Sequence, residues 1–215
     1  MTCSTRYIPF FLFLAFGCAI ADEGTSIPSA TALSKQLFSN TEFERSYQAG
    51  VTDSRTTVMK KFDGLTGTEG CPATFDVAIE YRVALDAMID GIVGRKTFFA
   101  AIERELASLN GVQRRAAMTV MQSPRFFEKP RVGFSAWIAW LDKFNSDALP
   151  DLAPGYTIDE KLAGPLAIKR GIAFVVREGN DKVRSHGPKL YAQYKQQLLI
   201  AIDRCIADEE TRLQR

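Results

Sequence analysis

Apolar residues recur every three or four positions along most of this chain, and that spacing constrains the fold more than any other feature. Thr74 is predicted to cap the clearest helix, whose apolar face consists of Val77, Ala78, Tyr81, Leu85, Met88, Ile89 and Ile92. Residues 172–176 are β-branched enough for a strand, but one strand alone cannot satisfy its backbone and no second candidate lies nearby. The sequence therefore predicts an all-α, single-domain bundle of six to eight helices.

Capping and turn residues indicate where several helices begin and end. Residues 41–44 and 157–160 both have the form of a capping box, and each is predicted to begin a helix. The first of these helices is predicted to reach about residue 62, and a break near residues 50–53 stays open. Residues 179–187 are polar and predict a turn, after which Pro188 is expected to be the first residue of the last helix.

The first 21 residues have the pattern of a cleaved secretory signal. Arg6 precedes an almost unbroken apolar run over residues 8–16, and small residues at 19–21 come before Asp22. We expect residues 1–21 to be removed and residues 22–215 to form one helical domain in the periplasm or outside the cell. Two alternatives stay open. One is a membrane anchor, although the apolar run is shorter than the roughly 20 residues that a span needs. The other is lipidation at Cys18.

Removal of that segment leaves two cysteines, Cys71 and Cys205. Two thiols in an exported chain most simply form one disulfide. Because the bridge would close a long loop, the chain-entropy model assigns it up to about 5 kcal/mol. It would pin the C-terminal helix onto the middle of the bundle. The alternative, a free catalytic thiol, is disfavoured in an oxidising compartment.

The sequence has little material for metal, redox or serine chemistry. His186 is the single histidine, and we expect it to lie exposed in a turn. No serine-nucleophile elbow, zinc-protease helix motif, closely paired cysteines or dinucleotide fingerprint occurs, and the glycines of residues 64–70 lack the lysine of a phosphate-binding loop. We therefore expect no cofactor and no metal. The net charge of +2 also gives no general reason to bind nucleic acid.

Residues 125–131 and the helix after them form the densest aromatic and basic cluster in the chain. The predicted partner-binding residues are Arg125, Phe126, Phe127, Lys129 and Arg131. Arginine and aromatic side chains are enriched at binding hot spots, which is why this segment is predicted to be partly exposed. The alternative is that the two phenylalanines pack into the core with Trp137 and Trp140.

Charge is unevenly divided along the chain. Residues 22–110 have an acidic excess and residues 111–215 a basic one. The run from Lys169 to Lys195 contains seven basic and two acidic residues. Such a run could contact an anionic envelope surface, or it could simply be a solvated helix face.

These observations favour an exported, non-enzymatic binding protein of the inhibitor, immunity or adaptor type, with another protein as its partner. The rival hypothesis is a cell-wall-acting hydrolase, because glycoside cleavage needs only two carboxyl groups at a defined separation. Its candidate acids are Glu80 with Asp76, or Glu103. It predicts a deep groove in which one acid stays protonated and a facing acid is ionised.

Overall fold

The computed structural model describes residues 26–128, 132–147, 149 and 151–214, with the backbone alone at 145–147. Within these residues the chain forms seven α-helices, one short 3-10 turn and no β-sheet, which confirms the predicted all-α class. The helices are α1 (Ala30–Ser39), α2 (Thr41–Lys61), α3 (Pro72–Val93), α4 (Arg95–Ala107), α5 (Gly111–Gln122), α6 (Phe134–Asp147) and α7 (Ile158–Leu213), and the 3-10 turn is Pro124–Phe126. The predicted signal peptide, Lys129 and Arg131 lie outside the described residues.

Side-chain caps fix the N-termini of the two helices that the sequence predicts to begin with a capping box. Asn40, and not the expected Thr41, caps α2, because its carboxamide oxygen accepts from the backbone N–H groups of Glu42 and Phe43 at 2.9 and 3.2 Å. α2 then crosses residues 50–53 without a break. The predicted capping box of α7 is present: the backbone N–H of Thr157 donates to Oε2 of Glu160 at 2.8 Å, and the reciprocal bond measures 3.4 Å.

Helix α3 begins earlier than the sequence predicts. Pro72 occupies its first turn, where the missing N–H of proline has no cost. Thr74 is already helical and buried. Its hydroxyl donates to the carbonyl of Cys71 at 2.6 Å and accepts from the N–H of Thr68 at 2.6 Å. Thr74 therefore ties the preceding loop to the helix instead of capping it.

The last helix, α7, is continuous over 56 residues, so the predicted turn at residues 179–187 is wrong. The two glycines that suggested a turn are both buried. A Cβ at Gly179 would come within 2.6 Å of Cγ2 of Ile92, and one at Gly187 within 2.2 Å of Cζ of Phe62. These glycines allow neighbouring elements to approach α7 closely, and Pro188 consequently lies inside the helix and not at its start.

The core surrounds the N-terminal half of α7, which packs against α3, α4, α5 and α6. Ala167, Ile168, Ile172 and Val175 on this half are buried. Complete burial of an isoleucine or valine side chain contributes about 1.5–3 kcal/mol relative to exposure, so this central helix face is a major source of stability.

An aromatic layer joins α1, α2, α4 and α6 beside this core. Its rings belong to Phe38, Phe43, Tyr47, Phe98 and Phe134. Phe38 and Phe43 meet edge to face with their centroids 5.1 Å apart, and Phe98 stacks on Phe134 at 4.8 Å. The buried Tyr47 hydroxyl is satisfied because it donates to the carbonyl of Val93 at 3.0 Å.

The C-terminal half of α7 has much thinner cover. Tyr81 of α3 packs against it, with ring centroids 5.5 Å from Tyr194 and 6.1 Å from Tyr191. The Tyr81 hydroxyl also donates to the carbonyl of Phe62 at 2.8 Å, which holds the end of α2 nearby. Between residues 189 and 214 only Ala201 is buried. This part of α7 therefore presents most of its circumference to solvent.

Candidate functional site

Cys71 and Cys205 form the predicted disulfide, with their Cα atoms 5.8 Å apart. Cys71 directly precedes α3, and Cys205 lies in the last three turns of α7. The bridge therefore fastens the exposed C-terminal part of α7 to the start of α3. The bridge brings together residues 72–83 of α3 and residues 199–214 of α7. We call these two segments the disulfide end.

The part of α3 at the disulfide end exposes three large apolar side chains. Phe75, Ile79 and Val83 are between 48% and 64% exposed. They are four residues apart, so they form one stripe along the helix. Ala78 and Tyr81 on the core side are buried. α3 thus has an exposed apolar stripe in addition to its buried apolar face.

A second exposed apolar stripe lies on α7. Leu199, Ile206 and Leu213 are between 53% and 76% exposed. Their spacing of seven residues is close to two helical turns, so they also share one side of their helix. Every described residue after Cys205 is exposed. The end of α7 therefore extends past the disulfide with most of its surface open to solvent.

Exposed apolar side chains are concentrated at the disulfide end. With Ile200, seven of the eleven exposed large apolar residues in the described part of the chain belong to it. Single exposed apolar residues are normal, whereas large contiguous apolar patches on protein surfaces commonly serve as contact sites. The apolar periodicity of the inward helix faces, on which the predicted core rests, does not reveal this group. The four-residue spacing from Phe75 to Val83 was the available signal.

The structure divides the predicted partner-binding segment between surface and core. The expectation that Phe126 is exposed is wrong: the side chain is fully buried, with its ring centroid 5.3 Å from Trp140 and 5.2 Å from Phe144. The 3-10 turn Pro124–Phe126 places this ring against the aromatic side of α6. Phe127 is half-buried, with its ring centroid 4.9 Å from that of Phe126.

Arg125 is the most accessible of the three predicted binding residues that the structure describes. Its guanidinium lies 3.6 Å from a carboxylate oxygen of Asp151, and both side chains are mostly exposed. An exposed pair of this kind is worth less than about 1 kcal/mol, so Arg125 is free to exchange partners. Lys129 and Arg131 lie outside the described residues. A role in binding for Arg125 and Phe127 stays a prediction.

The acids of the hydrolase hypothesis are divided between two helices. Asp76 and Glu80 are exposed on α3. Glu103 is on α4, where it accepts a hydrogen bond from the hydroxyl of Thr31. None of the three lines the cavity between α2, α3, α6 and α7, whose lining contains a different carboxylate, Asp53.

The basic run from Lys169 to Lys195 does not form a single patch on α7. Lys169 is paired with Asp142, and Arg170 with Glu105. The exposed members Lys182, Arg184, Lys189 and Lys195 make no ion pair within the described chain. At about 100° per residue, Lys182 and Lys189 share one side of α7, whereas Arg184 and Lys195 share another about 200° away.

None of the helices in the described part of the chain combines the length and the apolar composition that a membrane span needs. No group of three or more histidine, cysteine or acidic side chains there could hold a metal ion. His186 is exposed but lies within α7 and not in a turn, with Nδ1 2.9 Å from the Ser185 hydroxyl.

Comparison with known proteins gives no relative, since no family model, curated protein or solved structure matches the chain.

Proposed function

We propose that this protein is an exported, non-enzymatic binding protein of the inhibitor, immunity or adaptor type, and that its partner is another protein. The observation that supports this proposal is the concentration of exposed apolar side chains at the disulfide end. We assign the contact surface to the α3 stripe of Phe75, Ile79 and Val83 together with the α7 stripe of Leu199, Ile206 and Leu213.

The energetics of these side chains favour a partner. Each is already partly covered by its own helix, so a partner would gain only part of the roughly 1.5–3 kcal/mol available from burying a large apolar side chain completely. Several such residues together still give a sizeable driving force. Because the Cys71–Cys205 bridge ties the two helices together, less conformational freedom is lost on binding than with a flexible surface.

Two features support export. The N-terminal pattern is that of a secretory signal, and disulfides persist mainly in oxidising compartments. We also propose that the unpaired basic residues on two sides of α7 help to hold the protein near an anionic envelope surface. Mass spectrometry of exported protein tests the first part: we expect Asp22 at the N-terminus and no thiol that can be alkylated, and an intact Met1 would contradict export by cleavage.

Photo-cross-linking tests the proposed contact surface. A photoreactive amino acid would replace Ile79 or Ile206 in protein that is exported by its native host. The matched control is Ile158, which is 58% exposed at the opposite end of α7 and outside the disulfide end. We expect cross-links from positions 79 and 206 to one and the same protein, and none to that protein from position 158.

Two outcomes would contradict the proposal. One is the same set of adducts from all three positions, since that pattern reports general stickiness and not a specific surface. The other is a cross-link between two copies of this chain alone, which would identify the disulfide end as a homodimer interface.

A further inference from the structure

A cavity of about 340 Å³ lies between α2, α3, α7 and the start of α6, away from the disulfide end. Its volume falls near the lower end of the range that small-molecule sites occupy. Its apolar wall combines the more accessible side chains of Val176 and Val183 with buried ones behind them, Val58, Ile89, Ile92 and Val175. Such a wall favours a small ligand with a largely apolar body.

Two close contacts hold the walls of this cavity in place. A Cβ at Gly50 would come within 2.6 Å of the Phe134 ring, so that ring lies directly on the α2 backbone. On the other side, Ile92 packs equally close to Gly179 of α7. Because both side chains are in contact with backbone, the walls have little room to move, and the cavity exists before any ligand binds.

The polar residues that line the cavity are neutral except for one acid. They include Asp53, Thr57 and Asn180, all exposed, and Asp53 is the one ionisable residue in the described lining. The nearest cation along the chain, Arg55, is paired with Asp86 and Asp90. Asp53 is therefore an exposed carboxylate in the cavity lining, and Arg55 does not pair with it.

We propose that this cavity binds a small apolar amine, whose hydrocarbon body lies against the valine and isoleucine wall and whose ammonium group pairs with Asp53. This site is independent of the proposed protein-binding surface, because the two share no residue. Failure of either proposal would leave the other standing.

Three probes with one skeleton and different charges test the amine site by calorimetry at pH 7: 4-phenylbutylamine, 4-phenylbutan-1-ol and 4-phenylbutanoate. We expect the amine to bind most tightly and the carboxylate least. Asp53→Asn should lower the affinity for the amine by about fivefold, because an exposed ion pair contributes at most about 1 kcal/mol. The affinity for the alcohol should not change. Asp76→Asn, which removes an exposed carboxylate outside the cavity, should change neither affinity.

A filling variant tests the position of the apolar body. Val183 lines the cavity and is only partly buried, so Val183→Phe should fold and occupy the space. We expect this variant to lower the affinity for both the amine and the alcohol by at least about tenfold, because it removes the apolar contacts. The proposal is overturned if none of the probes binds wild-type protein, if amine and alcohol bind equally, or if Asp76→Asn weakens the amine as much as Asp53→Asn.

Discussion

Gly187 of α7 lies directly beneath the ring of Phe62, so close that a Cβ at position 187 would come within 2.2 Å of Cζ. This contact brings the end of α2 against the middle of the longest helix. Alanine at position 187 would gain helix propensity, but it would force the Phe62 ring to move within a packed site. We expect Gly187→Ala to lower the free energy of unfolding by about 1–3 kcal/mol, measured by urea denaturation.

The matched control for this change is Gly91→Ala. Gly91 is also helical, but it is exposed and a Cβ there would meet no atom within 4 Å. Only the propensity gain applies, so we expect this variant to be more stable by about 0.5–1 kcal/mol. Equal effects at both glycines would contradict the close contact between α7 and Phe62.

Pro188 tests whether α7 is continuous. A proline inside a helix leaves the carbonyl four residues earlier without its donor and costs about 3 kcal/mol relative to alanine. We expect Pro188→Ala to raise the free energy of unfolding by about 1–3 kcal/mol. Pro72→Ala is the control, because Pro72 occupies the first turn of α3 and should give no gain. A neutral or destabilising effect of Pro188→Ala would indicate that a separate helix begins at residue 188 and that α7 is not continuous.

Tyr81 gives the protein a specific response to alkaline pH. Burial, with smaller contributions from Tyr191 and Asp63, raises the pKa of Tyr81 from 10.0 to about 12. Between these values the unfolded chain has lost the phenolic proton and the folded protein keeps it, so stability falls as pH rises through this window.

The variant Tyr81→Phe separates this titration from other alkaline effects. At pH 7 it should cost about 1 kcal/mol, because the carbonyl of Phe62 loses its donor. Between pH 10 and about 12 its stability should then decline less steeply than that of wild type. Some decline remains, since burial also raises the pKa of Tyr47. Parallel curves for the two proteins would refute the assignment to Tyr81.

The disulfide should contribute to stability over a long stretch of chain. It joins residues 134 positions apart, and removal of such a bridge costs about 2–5 kcal/mol. We expect Cys71→Ser/Cys205→Ser to unfold at lower urea concentration than wild type, and a reducing agent to shift wild type but not the variant. A reducing agent without effect on wild type would show that the thiols are not bridged.

Much of the fold was predictable because helix periodicity is a local property. The apolar face that includes Tyr81 and Leu85 is buried as predicted, and Cys71 pairs with Cys205. Helix continuity was not predictable in the same way. Gly179 and Gly187 carry a turn signal in the sequence, and only their close contacts with Ile92 and Phe62 explain why they lie within a helix.

The candidate site was less predictable than the fold. An aromatic and basic segment such as residues 125–131 has the composition of a binding loop, but composition does not show which way a ring points. Phe126 packs into the core beside Trp140, whereas Ile79 and Ile206 are exposed although each lies within a helix. Exposure depends on which side of each helix finds a neighbour, and that is decided by tertiary packing.

The most direct test of whether the disulfide end binds the cross-linked partner is to measure the partner's affinity for a set of variants. We would measure wild type, Ile79→Ser/Ile206→Ser, the control Ile158→Ser, and Arg125→Ala/Phe127→Ala from the originally predicted segment. We expect the first double variant to bind at least about tenfold more weakly, because it removes two large apolar contacts, and Ile158→Ser to bind as wild type does. Unchanged affinity for Ile79→Ser/Ile206→Ser, together with lost binding for Arg125→Ala/Phe127→Ala, would contradict the account.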